Sequence, residues 1–211
     1  MNTRARFKLL LMAVLLSGCA TFQAATDVQS GRNAFLIGNN EAALGYFRSA
    51  AQKDPSFVYG YPLQQGIWSY VGRSEYATGR LPAARETLER GLSQNRDEDM
   101  ARLYLGLTLA RDGDRQKGLQ EIQGGMKGIY DWLQYVTSTF RYSFGQYWDI
   151  RGEIRSSIQG DLAMVDSKDI NWPKLIADGE WLGKRMEQES DDARKQEAEE
   201  RGRDSSGKDH P

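Results

Sequence analysis

Three stretches of this chain can be set under one another: Gly31-Arg-Asn-Ala-Phe-Leu-Ile-Gly38, Gly72-Arg-Ser-Glu-Tyr-Ala-Thr-Gly79 and Gly106-Leu-Thr-Leu-Ala-Arg-Asp-Gly113. Each opens and closes on glycines seven positions apart. Each is followed by a small residue (Ala43, Ala84, Gly118), then a large apolar one (Phe47, Leu88, Ile122), then another small one (Ala50, Gly91, Gly125). Copies two and three lie 34 residues apart and copies one and two 41, the extra seven falling between Pro55 and Gly66. Self-similarity at such a period means stacked supersecondary units. The first glycine and the small pair let two helices approach closely, and the large residue between them fills the hole. The second glycine stands where the first helix must end in a left-handed turn, with Pro82 or Asp114 opening the next. Residues 25–127 are therefore predicted to form six helices.

The pattern resembles the tetratricopeptide repeat, an antiparallel helix pair per roughly 34 residues. The late glycine of the first helix, the small-large-small pattern of the second, the closing Asp54-Pro55 and Trp68 at the start of copy two carry the likeness. Ser30 in place of the Val71 of copy two, and the missing final proline of copies two and three, depart from it. The segment Ser56–Gln65 is a longer connection than usual, and its Phe57, Tyr59 and Tyr61 are expected to pack it against the stack, or else to form a contact surface.

The chain starts with Arg4, Arg6 and Lys8 and no acid, followed by the apolar run Leu9–Leu16. That is a secretory signal, too short for a stable bilayer span. Leu16-Ser17-Gly18-Cys19 follows, and resembles the lipobox of bacterial lipoproteins. The resemblance implies that residues 1–18 are removed and that Cys19, the only cysteine, becomes the lipidated first residue ahead of a short linker, 19–24. More than one acyl chain makes such a tether durable, since each buried methylene contributes about 0.8 kcal/mol. Ala20, rather than an aspartate, after the cysteine implies the outer membrane of a diderm bacterium, facing the periplasm.

Residues 1–18 hold three of the 28 basic residues and none of the 29 acidic ones, so the remainder carries 25 against 29, a net charge of −4. A basic stripe for nucleic acid is not indicated. The only histidine is His210. Histidine-based triads, a Cys-His pair and a histidine metal site are thereby effectively excluded, and no cofactor or metal is expected. From Ser190 to Pro211, 12 of 22 residues are charged and none is large and apolar, so this tail is expected to be disordered.

Between the repeats and the tail, Leu133, Val136, Phe140, Phe144, Tyr147, Ile154, Ile158, Leu162 and Val165 follow a helical period without proline, predicting one long helix over 131–165. A second stripe of Trp132, Tyr135 and Tyr142 lies off the first. A short helix is predicted over Trp172–Glu189, capped by Asn171 with Pro173 in its first turn, folding back on the long one. The expected architecture is all-α: about three repeats over 25–130, then a helical extension over 131–189.

In tetratricopeptide proteins the inner groove is lined by fixed positions of the first helix, and the resemblance carries these onto Arg32 and Phe35, Ser69, Arg73 and Tyr76, and Arg111. The arginines would meet carboxylates of a peptide, with Phe35 and Tyr76 adding apolar area. Copy three is apolar there (Met100, Leu103, Leu107), which predicts that the chain's own C-terminal helices cover it, the alternative being an apolar partner helix. Trp132, Tyr135 and Tyr142 form a second candidate contact face. Most such domains bind proteins rather than perform chemistry. The resemblance thus implies a non-enzymatic scaffold, anchored by lipid, for an envelope protein or peptide. Alternatives are a self-associating structural lipoprotein, and a cell-wall hydrolase using Asp149 and Glu153.

Overall fold

The computed structural model describes the backbone of residues 3–167 and 169–206 and the side chains of 20–167 and 169–203. It is all-α apart from one two-residue hairpin. The elements are α1 (Thr3–Leu36), α2 (Asn40–Lys53), β1 (Val58–Tyr59), β2 (Gln65–Gly66), α3 (Ile67–Ala77), α4 (Leu81–Gln94), α5 (Asp99–Arg111), α6 (Arg115–Thr139), a 3-10 turn (Phe144–Tyr147), α7 (Glu153–Asp166) and α8 (Trp172–Ser206). They divide into two compact units, Met1–Asn95 and Arg96–Pro211. Among the described residues no helix is long and apolar enough to cross a membrane.

The repeat spacing reappears as helix contacts. In the first unit, a Cβ built on Gly31 of α1 would come within 2.6 Å of the Phe47 ring of α2, and one on Gly72 of α3 within 2.5 Å of Leu88 of α4. In the second unit the nearest atoms are backbone rather than side chain. Gly106 faces Ile122, Gly118 faces Ala110, and Gly125 faces Leu103, an order that makes α5 and α6 antiparallel. The closing glycines Gly38, Gly79 and Gly113 have φ of 82°, 76° and 104°, the left-handed turn that stops each first helix. Asn39 and Asp114 then cap the following helices by accepting from the amides of Ala42 and Lys117.

The first unit's core is Val28, Phe47, Ile67, Tyr70 and Val71 with the small residues around them, and Phe57, Tyr59 and Trp68 pack on its edge. The inserted segment after Pro55 forms the β1–β2 hairpin, Val58 opposite Gly66 and Tyr59 opposite Gln65. Tyr59 meets Tyr70 edge-on at 6.3 Å. The inserted aromatics Phe57 and Tyr59 thus pack as expected, whereas Tyr61 is exposed.

Four expectations are corrected. Residues 19–24, expected as a linker, continue α1, with Thr21 donating to Asp54 at 3.1 Å and Ala24 fully buried. The long helix over 131–165 is instead α6, a turn and α7. Thr137 and Ser138 return their hydroxyls to the carbonyls of Leu133 and Gln134, weak helix formers in succession, and α6 stops at Thr139. Gly145 then sits where a Cβ would meet the Val136 carbonyl at 2.2 Å. The short helix begins as predicted, Asn171 accepting from the Lys174 amide at 3.1 Å, but does not end at Glu189. As α8 it runs through the expected disordered tail to Ser206, with Ser190 and Ala193 buried. Opposite charges at helical spacing, Arg194 with Asp191 and Arg201 with Glu197, support it there. His210 lies outside the described residues, as does the side chain of Cys19.

Candidate functional site

The expected groove residues of the first unit are not open. Arg32 and Arg73 are each only 1% exposed. Arg32 lies over the Tyr59 ring at 4.9 Å and donates to its hydroxyl at 3.3 Å, and that hydroxyl donates in turn to Gln29 at 2.5 Å. Arg73 lies 5.3 Å over the Phe35 ring and 5.6 Å over that of Tyr70, and donates to Gln65 at 2.5 Å. Both acceptor residues, Tyr59 and Gln65, belong to the inserted hairpin. The insertion therefore supplies an acceptor for each arginine and a ring for Arg32, while α1 and α3 supply the rings that cover Arg73. Phe35 is half-buried, Tyr76 is buried, and Ser69 is buried with its backbone nitrogen opposite Gly91 of α4.

In the second unit the apolar face of α5 is covered by α8, as the composition of copy three predicts. Gly179 sits against Leu107 and Gly183 against Tyr104, positions where a Cβ would come within 2.8 and 2.2 Å. Arg111 remains exposed and faces Glu180 of α8 at 3.6 Å.

The aromatic residues past α5 divide by role. Trp132 is half-buried and meets Trp148 edge-on at 4.8 Å, so it serves the core. Tyr135 is 57% exposed and Tyr142 is 84% exposed. Between them Tyr135 meets Phe140 edge-on at 5.7 Å, Phe140 stacks on Phe144 at 4.5 Å, and Arg141 lies 4.5 Å over Tyr142. The break after Thr139 gathers these rings at one end of α6 and leaves them half-open. Neither Phe140 nor Phe144 was expected on this face, since an unbroken helix would have put both in the core stripe.

No protein-family model, curated protein or solved structure matches the chain.

Asp149 is the other distinctive position. It has a φ of 44°, uncommon for a residue with a side chain, and is buried. Its carboxylate accepts from the amides of Ile154 at 2.9 Å and Arg155 at 3.2 Å, opening α7, and from Arg155 Nε at 2.8 Å. Its own amide donates to the buried carboxylate of Glu189 on α8. Burial raises the Glu189 carboxyl, opposed by that amide and by Arg185 at 2.6 Å. Tyr147 donates to Glu200, which pushes its hydroxyl up to about 12. Asp149 and Glu153 thus do not form a free carboxylate pair on one helix face. Asp149 has both oxygens engaged in holding the turn. Among the described residues no group of acids, cysteine or histidine could hold a metal ion.

Proposed function

We propose that this chain is a lipid-anchored scaffold of tetratricopeptide type, held by Cys19 at the outer membrane of a bacterium and facing the periplasm, where it binds a protein partner. The lipobox-like Leu16-Ser17-Gly18-Cys19 supports the anchor, and three close-packed helix pairs at the repeat spacing support the repeat reading. The observation that carries the binding reading is the half-open aromatic cluster of Tyr135, Phe140, Tyr142 and Phe144, while Arg32 and Arg73 of the expected groove are buried on rings of their own chain. Apolar rings with a neighbouring arginine are the residue types that dominate binding surfaces. A hydrolase built on Asp149 and Glu153 finds no support, because Asp149 is committed to the α7 turn.

The test is a photo-crosslinking amino acid at position 142 in the native host, together with metabolic labelling by palmitate of the chain and of Cys19→Ser. The expected result is label that depends on Cys19 and one discrete heterologous adduct. Adducts to a second copy alone would replace the scaffold by a self-associating lipoprotein. Unchanged label in Cys19→Ser would overturn the anchor.

A further inference from the structure

Four segments of the first unit meet at one end. Thr21 of α1 donates to Asp54 at the close of α2, the Ile67 amide that opens α3 donates to the Phe57 carbonyl at 2.9 Å, and Trp68 Nε1 donates to the Pro55 carbonyl at 2.8 Å. Arg90 of α4 lies 3.6 Å over the Trp68 ring. This end exposes large apolar side chains, Phe22 at 76% and Val58 at 53%, and Trp68 is half-buried. Its acids are answered within the chain. Asp27 is paired with Lys53 at 2.6 Å, and Asp54 accepts from the Ser56 amide and hydroxyl at 3.1 and 2.8 Å as well as from Thr21. Exposed apolar groups, an indole and an exposed guanidinium, beside carboxylates already satisfied, make a surface suited to lipid headgroups.

We infer that this end of the first unit is a membrane-docking face, with Phe22 and Val58 seated in the headgroup region and Arg90 against lipid phosphate. The inference rests on the lipid anchor proposed above and adds an orientation to it. Chain continuity selects a bilayer over a protein as the occupant. Cys19 and Phe22 are three residues apart in one helix, about 4.5 Å of rise, and α1 joins the core within the same turn, through Thr21 and the fully buried Ala24. An acyl chain on Cys19 enters the bilayer, so Phe22 stands within about one helical turn of the point of entry. A protein covering Phe22 would have to fit inside that gap. Leu36, the last residue of α1, lies about 25 Å beyond Cys19, and Ile37 after it, 82% exposed, faces water at the opposite end.

The test uses the full chain purified from host membranes, with the mass of the intact protein reporting its lipid. Cys19 is the only cysteine, so once it is acylated a thiol-reactive fluorophore goes only to an introduced Val58→Cys or Ile37→Cys. Both positions are exposed, so neither label threatens the fold. In vesicles of phosphatidylethanolamine and phosphatidylglycerol carrying a nitroxide headgroup lipid, about threefold more quenching is expected at position 58 than at 37. Phe22→Ser and Arg90→Glu should each lower the quenching at 58 about twofold. An unchanged signal in either variant would overturn the place of that residue on the face. Equal quenching at 58 and 37 in the acylated chain would overturn the docking face and leave the anchor standing. A mass without lipid would overturn the anchor, and this inference with it.

Discussion

A Cβ on Gly106 would lie 2.4 Å from the backbone nitrogen of Ile122 in the facing helix. No side-chain rotation relieves a clash with backbone, so Gly106→Ala must push α5 and α6 apart. It should cost about 2–3 kcal/mol, read as a lowered urea midpoint. Gly160 of α7, with nothing near its missing Cβ, is the control: Gly160→Ala should be stabilising by about 0.5–1 kcal/mol.

Arg73 is held inside the first unit by two rings and Gln65, and its replacement tests whether it is structural. Arg73→Ala removes stacked area and leaves the buried Gln65 oxygen without this donor. A loss of about 2–4 kcal/mol in chemical denaturation is expected. A variant as stable as the parent would return Arg73 to the candidate binding residues.

Asp99, in the first turn of α5, has its carboxyl raised to about 6 by burial, against the partial relief of Arg102. A carboxyl raised in the folded state binds its proton more tightly there than in the unfolded chain, so this group favours folding more as pH falls from above 6 towards about 4. Being only partly buried, it should contribute about 1 kcal/mol to the difference between pH 7.5 and pH 5. Thermal melts of the parent and Asp99→Asn across that range check this; the variant should lack that share of the gain at pH 5.

The two tryptophan and tyrosine populations of the C-terminal region should separate on substitution. Trp148→Ala empties a buried site packed on Trp132 and should cost about 3–5 kcal/mol. Tyr142→Ala should change stability by less than about 0.5 kcal/mol and act on partner capture alone. Melting curves and the crosslinking yield give the two readings.

Truncation after Glu189 removes Ser190 and Ala193, both buried, and the Glu200 acceptor of Tyr147. It should destabilise the chain by about 1–3 kcal/mol in urea unfolding.

The helix pairs were legible in the sequence because close approach requires glycine or alanine at fixed positions, and few other constraints place Gly31, Gly72 and Gly106 so regularly. The break in the predicted 131–165 helix was missed because Phe140, Phe144 and Tyr147 keep a helical period by spacing alone. The run Val136-Thr-Ser-Thr139 with Gly145 and Gly152 was the signal against it. The tail was misread because net composition ignores order: Asp191 with Arg194 and Glu197 with Arg201 support a helix that the same residues shuffled would not. The filled groove could not be read from arginine positions at all. It depends on where the hairpin carries Tyr59 and Gln65, and Tyr59 lies 27 residues from the Arg32 it covers, a relation that local pattern does not encode.

The unbroken α1 also fixes a length. Thr21, already bonded to Asp54, stands two residues past Cys19, about 3 Å along a helix. With lipid on Cys19 there is no slack cord between bilayer and folded body, which would ride on the leaflet rather than swing above it. A body anchored in the way proposed would search a film instead of a volume. Its encounters would be confined to whatever else moves in, or is carried to, that same thin layer.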